Sequence, residues 1–144
     1  MDETTTKKLN DVLSGINNDK EMEAFLEAPK VTDGFKTFSA YYLSLIREKG
    51  LADVELIRRS GIEKSYYYQI VKGSKKPGRD KALRLCLAAE LSLRETTRAL
   101  ELSENAVLYP RRRRDIILSV AVNQHATVDE ANMLLSKYGE EELR

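Results

Sequence analysis

Six cations, Lys64, Lys72, Lys75, Lys76, Arg79 and Lys81, fall within eighteen residues that contain a single acid, Asp80. A cluster of that density holds a polyanion by ion pairing, which needs no catalytic machinery; as a solvated face it does nothing further. Three consecutive tyrosines, Tyr66, Tyr67 and Tyr68, lie in the same stretch, GIEKSYYYQIVKGSKKP. They could be core, nucleic-acid contacts or a surface for another protein. A second run, Arg111, Arg112, Arg113 and Arg114, follows Pro110. Arginines at a helix start oppose the macrodipole, so acids must offset them, and Asp115 with Glu140, Glu141 and Glu142 are the ones within reach. The run reads either as a solvated face or as a second phosphate-binding patch.

Catalytic and metal chemistry find no comparable grouping. The chain has one histidine and one cysteine. His125, in NQHAT, has no His or Cys at ligand spacing and reads as a surface residue at a turn between helices. Cys86 lies in the apolar run LRLCLAA and reads as a small buried hydrophobe. There is no glycine-rich phosphate loop and no nucleophile motif. The expectation is a protein that is not an enzyme and takes no cofactor.

The whole-chain charge of +1 conceals a segregation. Residues 1–35 carry four lysines against eight acids, residues 36–102 fourteen basic residues against eight acids, and residues 103–144 six against seven. The positive charge therefore belongs to the middle of the chain. At 144 residues and 42% apolar content, one compact domain with appendages can bury a core. No apolar run approaches the length of a membrane span, and MDETTTKK lacks the pattern of an export signal, so the expected location is the cytoplasm with no membrane partner.

The elements that must position the cations are helices. Apolar residues recur at three- and four-residue spacing, without the alternation of strands. In the acidic N-terminal segment, residues 1–34, Leu9, Val12, Leu13 and Ile16 make one such series, and Met22, Phe25 and Leu26 another. Beyond a cap at Thr32 or Asp33, the stripe Phe35, Phe38, Tyr42, Leu45, Ile46 predicts a helix over about 35–49, with Gly50 as its left-handed stop. A short helix follows from Asp53 to Arg59, with Asp53 capping its own first turn and Leu56 and Ile57 inward. Gly61 ends it. A second short helix runs from Lys64 to Lys72, closed by Gly73 and Pro77.

With the sequence up to Leu100, the ordered set of Leu56, Gly61, Ile62, Ile70, Gly73 and Pro77 resembles the Cro/lambda-repressor-type (Xre-like) helix-turn-helix transcriptional regulators. The resemblance covers residues 36–102. It implies a lambda-repressor-like five-helix DNA-binding bundle over 35–102, with the second short helix in the major groove of double-stranded DNA and a homodimer on a two-fold site. Three positions depart from the family pattern: Ile57 replaces a small alanine, Asp53 a glutamine and Glu63 a hydroxyl cap.

Helical geometry then divides the tyrosines, because neighbours point about 100 degrees apart. Tyr67, Ile70 and Val71 share one face and read as core, with the Tyr67 hydroxyl reaching the surface. Lys64, Ser65, Tyr68, Gln69 and Lys72 share the face that the family lays against base edges; a glutamine can pair two-point with adenine, and a tyrosine can pack on a thymine methyl. Tyr66 on the flank, with Lys75, Lys76 and Arg79, suits DNA-backbone contacts. The reading is a sequence-specific DNA-binding regulator. The alternative is a protein-interaction module or antitoxin on the same scaffold, binding a protein partner and little or no DNA.

A shift of 35 residues aligns residues 79–102 with 114–137 without a gap. Arg79-Asp80 matches Arg114-Asp115, Leu83, Leu85 and Leu87 match Leu118, Val120 and Val122, and the capping boxes Ser92-x-x-Glu95 and Thr127-x-x-Glu130 coincide. Each half predicts one helical hairpin, alike through duplication or through shared hairpin grammar. Residues 103–144 are thus expected to form a C-terminal hairpin packed on the bundle.

Overall fold

A computed structural model describes residues 34–144. The chain divides into two units, Met1–Phe35 and Lys36–Arg144. The series predicted at Leu9 to Leu26 and the caps at Thr32 and Asp33 lie outside the described residues, which are all-helical, with seven helices and no strand. None of these helices is long and apolar enough to cross a membrane.

Helix α1 (Phe38–Glu48) buries Phe38, Tyr41, Tyr42, Leu45 and Ile46. It starts three residues later than the stripe predicts, because Thr37 caps it, accepting from the Ala40 N–H; Phe35 precedes the helix. At the other end Gly50 takes φ 69°, as expected, and the Leu51 N–H reaches the Ile46 carbonyl at 2.8 Å.

Helices α2 (Asp53–Ser60) and α3 (Lys64–Val71) are eight residues each and are joined by a turn at 61–63, where Gly61 takes φ 68°. A side chain at Gly61 would be strained by that φ and would meet the Arg84 guanidinium at 3.0 Å. Leu56, Ser60, Ile62, Tyr67 and Ile70 are buried around this turn. Two expectations are corrected here. Ile57 is half-buried, the inward positions of α2 being Leu56 and Ser60. Asp53 does not cap its own helix; its carboxylate accepts the Tyr67 hydroxyl at 2.7 Å, so that hydroxyl is tied down rather than reaching water.

Two hairpins follow, α4 (Arg79–Ala88) with α5 (Leu93–Leu102), and α6 (Arg113–Asn123) with α7 (Val128–Lys137). Both second helices begin with a complete capping box, Ser92 with Glu95 and Thr127 with Glu130. The backbone repeats as well: Glu90 and His125 both take φ 53°. In the next turn Glu104 (φ 59°) corresponds to Gly139 (φ 76°).

A clasp between the hairpins obeys the same 35-residue register. Arg79 donates to the carbonyls of Ala106 (2.8 Å) and Val107 (3.1 Å), and Arg114 to those of Glu141 (2.9 Å) and Glu142 (3.2 Å). The carboxylates are exchanged. Arg79 forks onto Asp115 at 3.0 and 2.9 Å, while Arg114 forks onto Asp80 at 3.2 and 3.0 Å. Asp115 also accepts the Tyr109 N–H at 2.8 Å, and Asp80 the Arg144 N–H at 3.0 Å. Each bond of this clasp thus has a counterpart running back, which is the pattern of a pseudo-two-fold pair. Shared hairpin grammar explains two capping boxes, but not an interlock in one register; the hairpins are a structural repeat.

Candidate nucleic-acid interface

Helix α3 is held from its N-terminus. The Glu63 carboxylate accepts from the N–H groups of Ser65 (3.1 Å) and Tyr66 (3.2 Å), and from the Ser65 hydroxyl. The Ser65 hydroxyl first, then those two amides, hold the Glu63 carboxyl below the usual carboxylate range. One face of α3 is core, with Tyr67 and Ile70 fully buried and Val71 nearly so. Burial first, then the bond to Asp53, pushes the Tyr67 hydroxyl well above its ordinary pKa, so it stays a neutral donor. Tyr68 packs edge-on against Tyr67, with centroids 5.4 Å apart, which fixes the ring at the border of the core.

Outside this core, Lys64, Ser65, Tyr68, Gln69 and Lys72 line one shallow surface groove, together with Glu63. The five residues whose spacing placed them on a common face are therefore adjacent in space. Tyr66 is half-buried on the flank. After Gly73 the chain folds back on α3, where the Gln69 carbonyl accepts the N–H groups of Ser74 (3.0 Å) and Lys75 (3.1 Å). That return places Lys75 and Lys76, both exposed, beside the groove. Lys76 pairs with Glu104 at 2.9 Å in water, a contact worth little and easily exchanged. Among the described residues no ion pair occupies Lys64, Lys72 or Lys75.

Arg79 does not belong with them. Four of its N–H donations go to the clasp, and its side chain is only 24% exposed. The expectation that it contacts a DNA backbone is withdrawn, because moving it would leave Asp115 charged and buried without its partner. The second basic run is likewise divided. Arg114 is committed to Asp80 and two carbonyls, and Arg113 donates to Glu140 (3.3 Å) and the Tyr138 carbonyl (3.0 Å). Only Arg111 and Arg112 of that run stay exposed without such engagement. Of the compensating acids expected, Glu140 serves Arg113, Asp115 serves Arg79, and Glu141 and Glu142 act on Arg114 through main-chain carbonyls.

Spacing within single helices missed the clasp, and it missed Arg84, which ties Ser60 (3.0 Å) to the C-terminal carbonyls of Leu143 and Arg144 (2.8 Å each). The signal for the clasp was the repeated Arg-Asp pair. Cys86 is buried, and burial pushes its thiol up to about 12, which makes it a poor nucleophile. Among the described residues no group of three or more His, Cys, Asp or Glu is placed to hold a metal ion. Comparison of the chain with family models, curated proteins and solved structures gives no match.

Proposed function

We propose that the chain is a sequence-specific regulator of transcription that binds double-stranded DNA as a homodimer in the cytoplasm. Its first five helices serve as a lambda-repressor-like bundle, and α2, the Gly61 turn and α3 serve as the helix-turn-helix. One observation carries this reading: Lys64, Ser65, Tyr68, Gln69 and Lys72 line one surface groove on a helix whose other face is core. With α3 in the major groove, Gln69 reads a base edge, Tyr68 packs against a thymine methyl or donates to phosphate, and Lys64 and Lys72 reach guanine or the backbone. Lys75 and Lys76 neutralise phosphates beside it, and Tyr66 contacts the backbone from the flank. Binding acts by occluding a promoter or recruiting to it.

The two acids that depart from the family pattern are both occupied. Asp53 accepts from Tyr67 and Glu63 caps α3, so their oxygens are directed at protein donors. A second reading, a protein-interaction module or antitoxin, draws on the fact that the Glu63 carboxylate lines the groove itself. That reading predicts a protein partner on α3 and little dependence on salt.

Substitutions separate base reading from charge. Gln69→Ala and Tyr68→Ala are expected to weaken a preferred site by about 1–3 kcal/mol and random duplex far less. Lys75→Ala should weaken both alike and lower the salt slope by about 1. Equal losses on both DNAs from all three variants would overturn the base-reading assignment.

A further inference from the structure

Residues 139–144, which follow α7, are held mostly through their main chain. Arg114 donates to the carbonyls of Glu141 and Glu142, and Arg84 to those of Leu143 and Arg144. In return the Leu143 N–H reaches Asn132 of α7 at 2.7 Å, and the Arg144 N–H reaches Asp80 of α4 at 3.0 Å. Of the six side chains only Leu143 is buried. Such a segment, with a single apolar anchor and its hydrogen bonds near water, belongs to the part of a fold that opens first.

Arg84 connects this segment to the helix-turn-helix. Its three donations all go to carbonyls: Nη1 to Ser60 at 3.0 Å, Nη2 to Leu143 and Nε to Arg144 at 2.8 Å each. Ser60 is the last residue of α2, and its hydroxyl also accepts the Ile62 N–H at 3.2 Å, across the turn. One guanidinium therefore spans the turn before α3 and the segment after α7. The link is not part of the hairpin repeat. In the 35-residue register Arg84 corresponds to Ser119, whose hydroxyl bonds back to the Asp115 carbonyl of its own helix.

The charge on Arg84 explains why the two ends move together. Arg58 and Arg59 line the same groove as Arg84 and share Glu55, whereas among the described residues no side-chain carboxylate pairs with Arg84. With residues 143 and 144 in place, three carbonyl dipoles hold the guanidinium between these cations. Without them only Ser60 remains. Glu90 and Asp129 line that groove too, both exposed and, among the described residues, in no ion pair. A guanidinium released from the segment thus has carboxylates to turn to, and a charge-assisted pair is stronger than one bond to a neutral carbonyl.

We infer that residues 139–144 are a latch on the helix-turn-helix and that Arg84 is the positioning residue through which it acts. Docked, the latch holds Arg84 on Ser60 and fixes the turn at 61–63; undocked, it lets Arg84 leave, and the turn loosens ahead of α3. That this controls DNA binding rests on the proposed function; the coupling itself does not.

Hydrogen exchange of the full chain, followed by mass spectrometry, tests the coupling without DNA. Leu143→Asp undocks the anchor, and Arg84→Lys keeps the charge but cannot span three carbonyls. Each is expected to speed exchange at residues 61–63 about tenfold, while the core of α4 and α5 stays protected. The double variant should be no faster there than either single one, because both break the same link; two independent losses of stability would add. Asn132→Ala, which removes one bond to the segment and leaves its anchor, should act in the same direction by a few fold and serves if Leu143→Asp does not fold. Unchanged exchange at 61–63 in variants whose segment 139–144 exchanges faster, or additive effects in the double variant, would overturn the latch. On DNA, Leu143→Asp and Arg84→Lys should each weaken a preferred duplex several-fold by fluorescence anisotropy. Affinity equal to wild type in both would overturn the control of binding. A wild-type chain that binds no DNA would overturn that control together with the proposed function, and exchange at the turn would still decide the latch.

Discussion

Tyr67 shows how one side chain can serve both core and turn. It is fully buried, and its hydroxyl joins α3 to the first residue of α2 through Asp53. A buried hydroxyl without a partner is costly, so the bond to Asp53 fixes how the two short helices meet. Tyr67→Phe is expected to lower stability by about 1 kcal/mol in urea unfolding, since it removes a donor from a half-buried carboxylate. Its effect on DNA affinity should be small, as Tyr67 does not line the groove. The inward position of Tyr67 was legible from its spacing to Ile70 and Val71. The Asp53 partner was not, because that carboxylate had an equally good local use as a cap and only the tertiary fold decides between the two.

Between elements, the clasp of Arg79, Asp80, Arg114 and Asp115 joins the two hairpins by two forked ion pairs. Asp115 is 3% exposed at its side chain and Asp80 23%. Burial opposes ionisation of both, but Arg79 with the Tyr109 N–H, and Arg114 with the Arg144 N–H, outweigh it and hold both carboxyls below the usual range. Asp115→Ala is expected to cost about 3 kcal/mol, since it strands a guanidinium that cannot deprotonate; Asp80→Ala should cost less because its site is wetter. The pH dependence has a fixed sign. Folded carboxyls that titrate below their unfolded values near pH 4 contribute fully above about pH 4, and the contribution is lost as pH falls through the lower folded values. Urea midpoints measured from pH 6 to pH 2 should therefore fall on acidification, and Asp115→Asn should flatten that fall. Arg79 was misread because a cation beside four lysines resembles a phosphate ligand, while its partner lies 36 residues away. The information was present as the Arg-Asp pair recurring at 35 residues, a register rather than a periodicity within one helix.

At the scale of the whole molecule, the unit Lys36–Arg144 joins the α3 groove and its lysines to a C-terminal hairpin that repeats the one before it. Helix order and type were legible throughout the described residues, because three- and four-residue apolar spacing, Gly50, Gly61 and Gly73 mark each element. The groove residues were legible for the same reason. Long-range polar contacts were not, since helical periodicity does not specify them.

The central claim is that α3 reads DNA. It is tested most directly by fluorescence-anisotropy titration of the full chain with random duplex and with DNA from upstream of its own gene, each at low and moderate salt. The account predicts tighter binding to the upstream DNA, with affinity for both falling steeply as salt rises, by a log–log slope of about −0.9 per phosphate contacted. Absence of binding to either duplex at low salt would contradict it and assign the α3 groove to a protein partner.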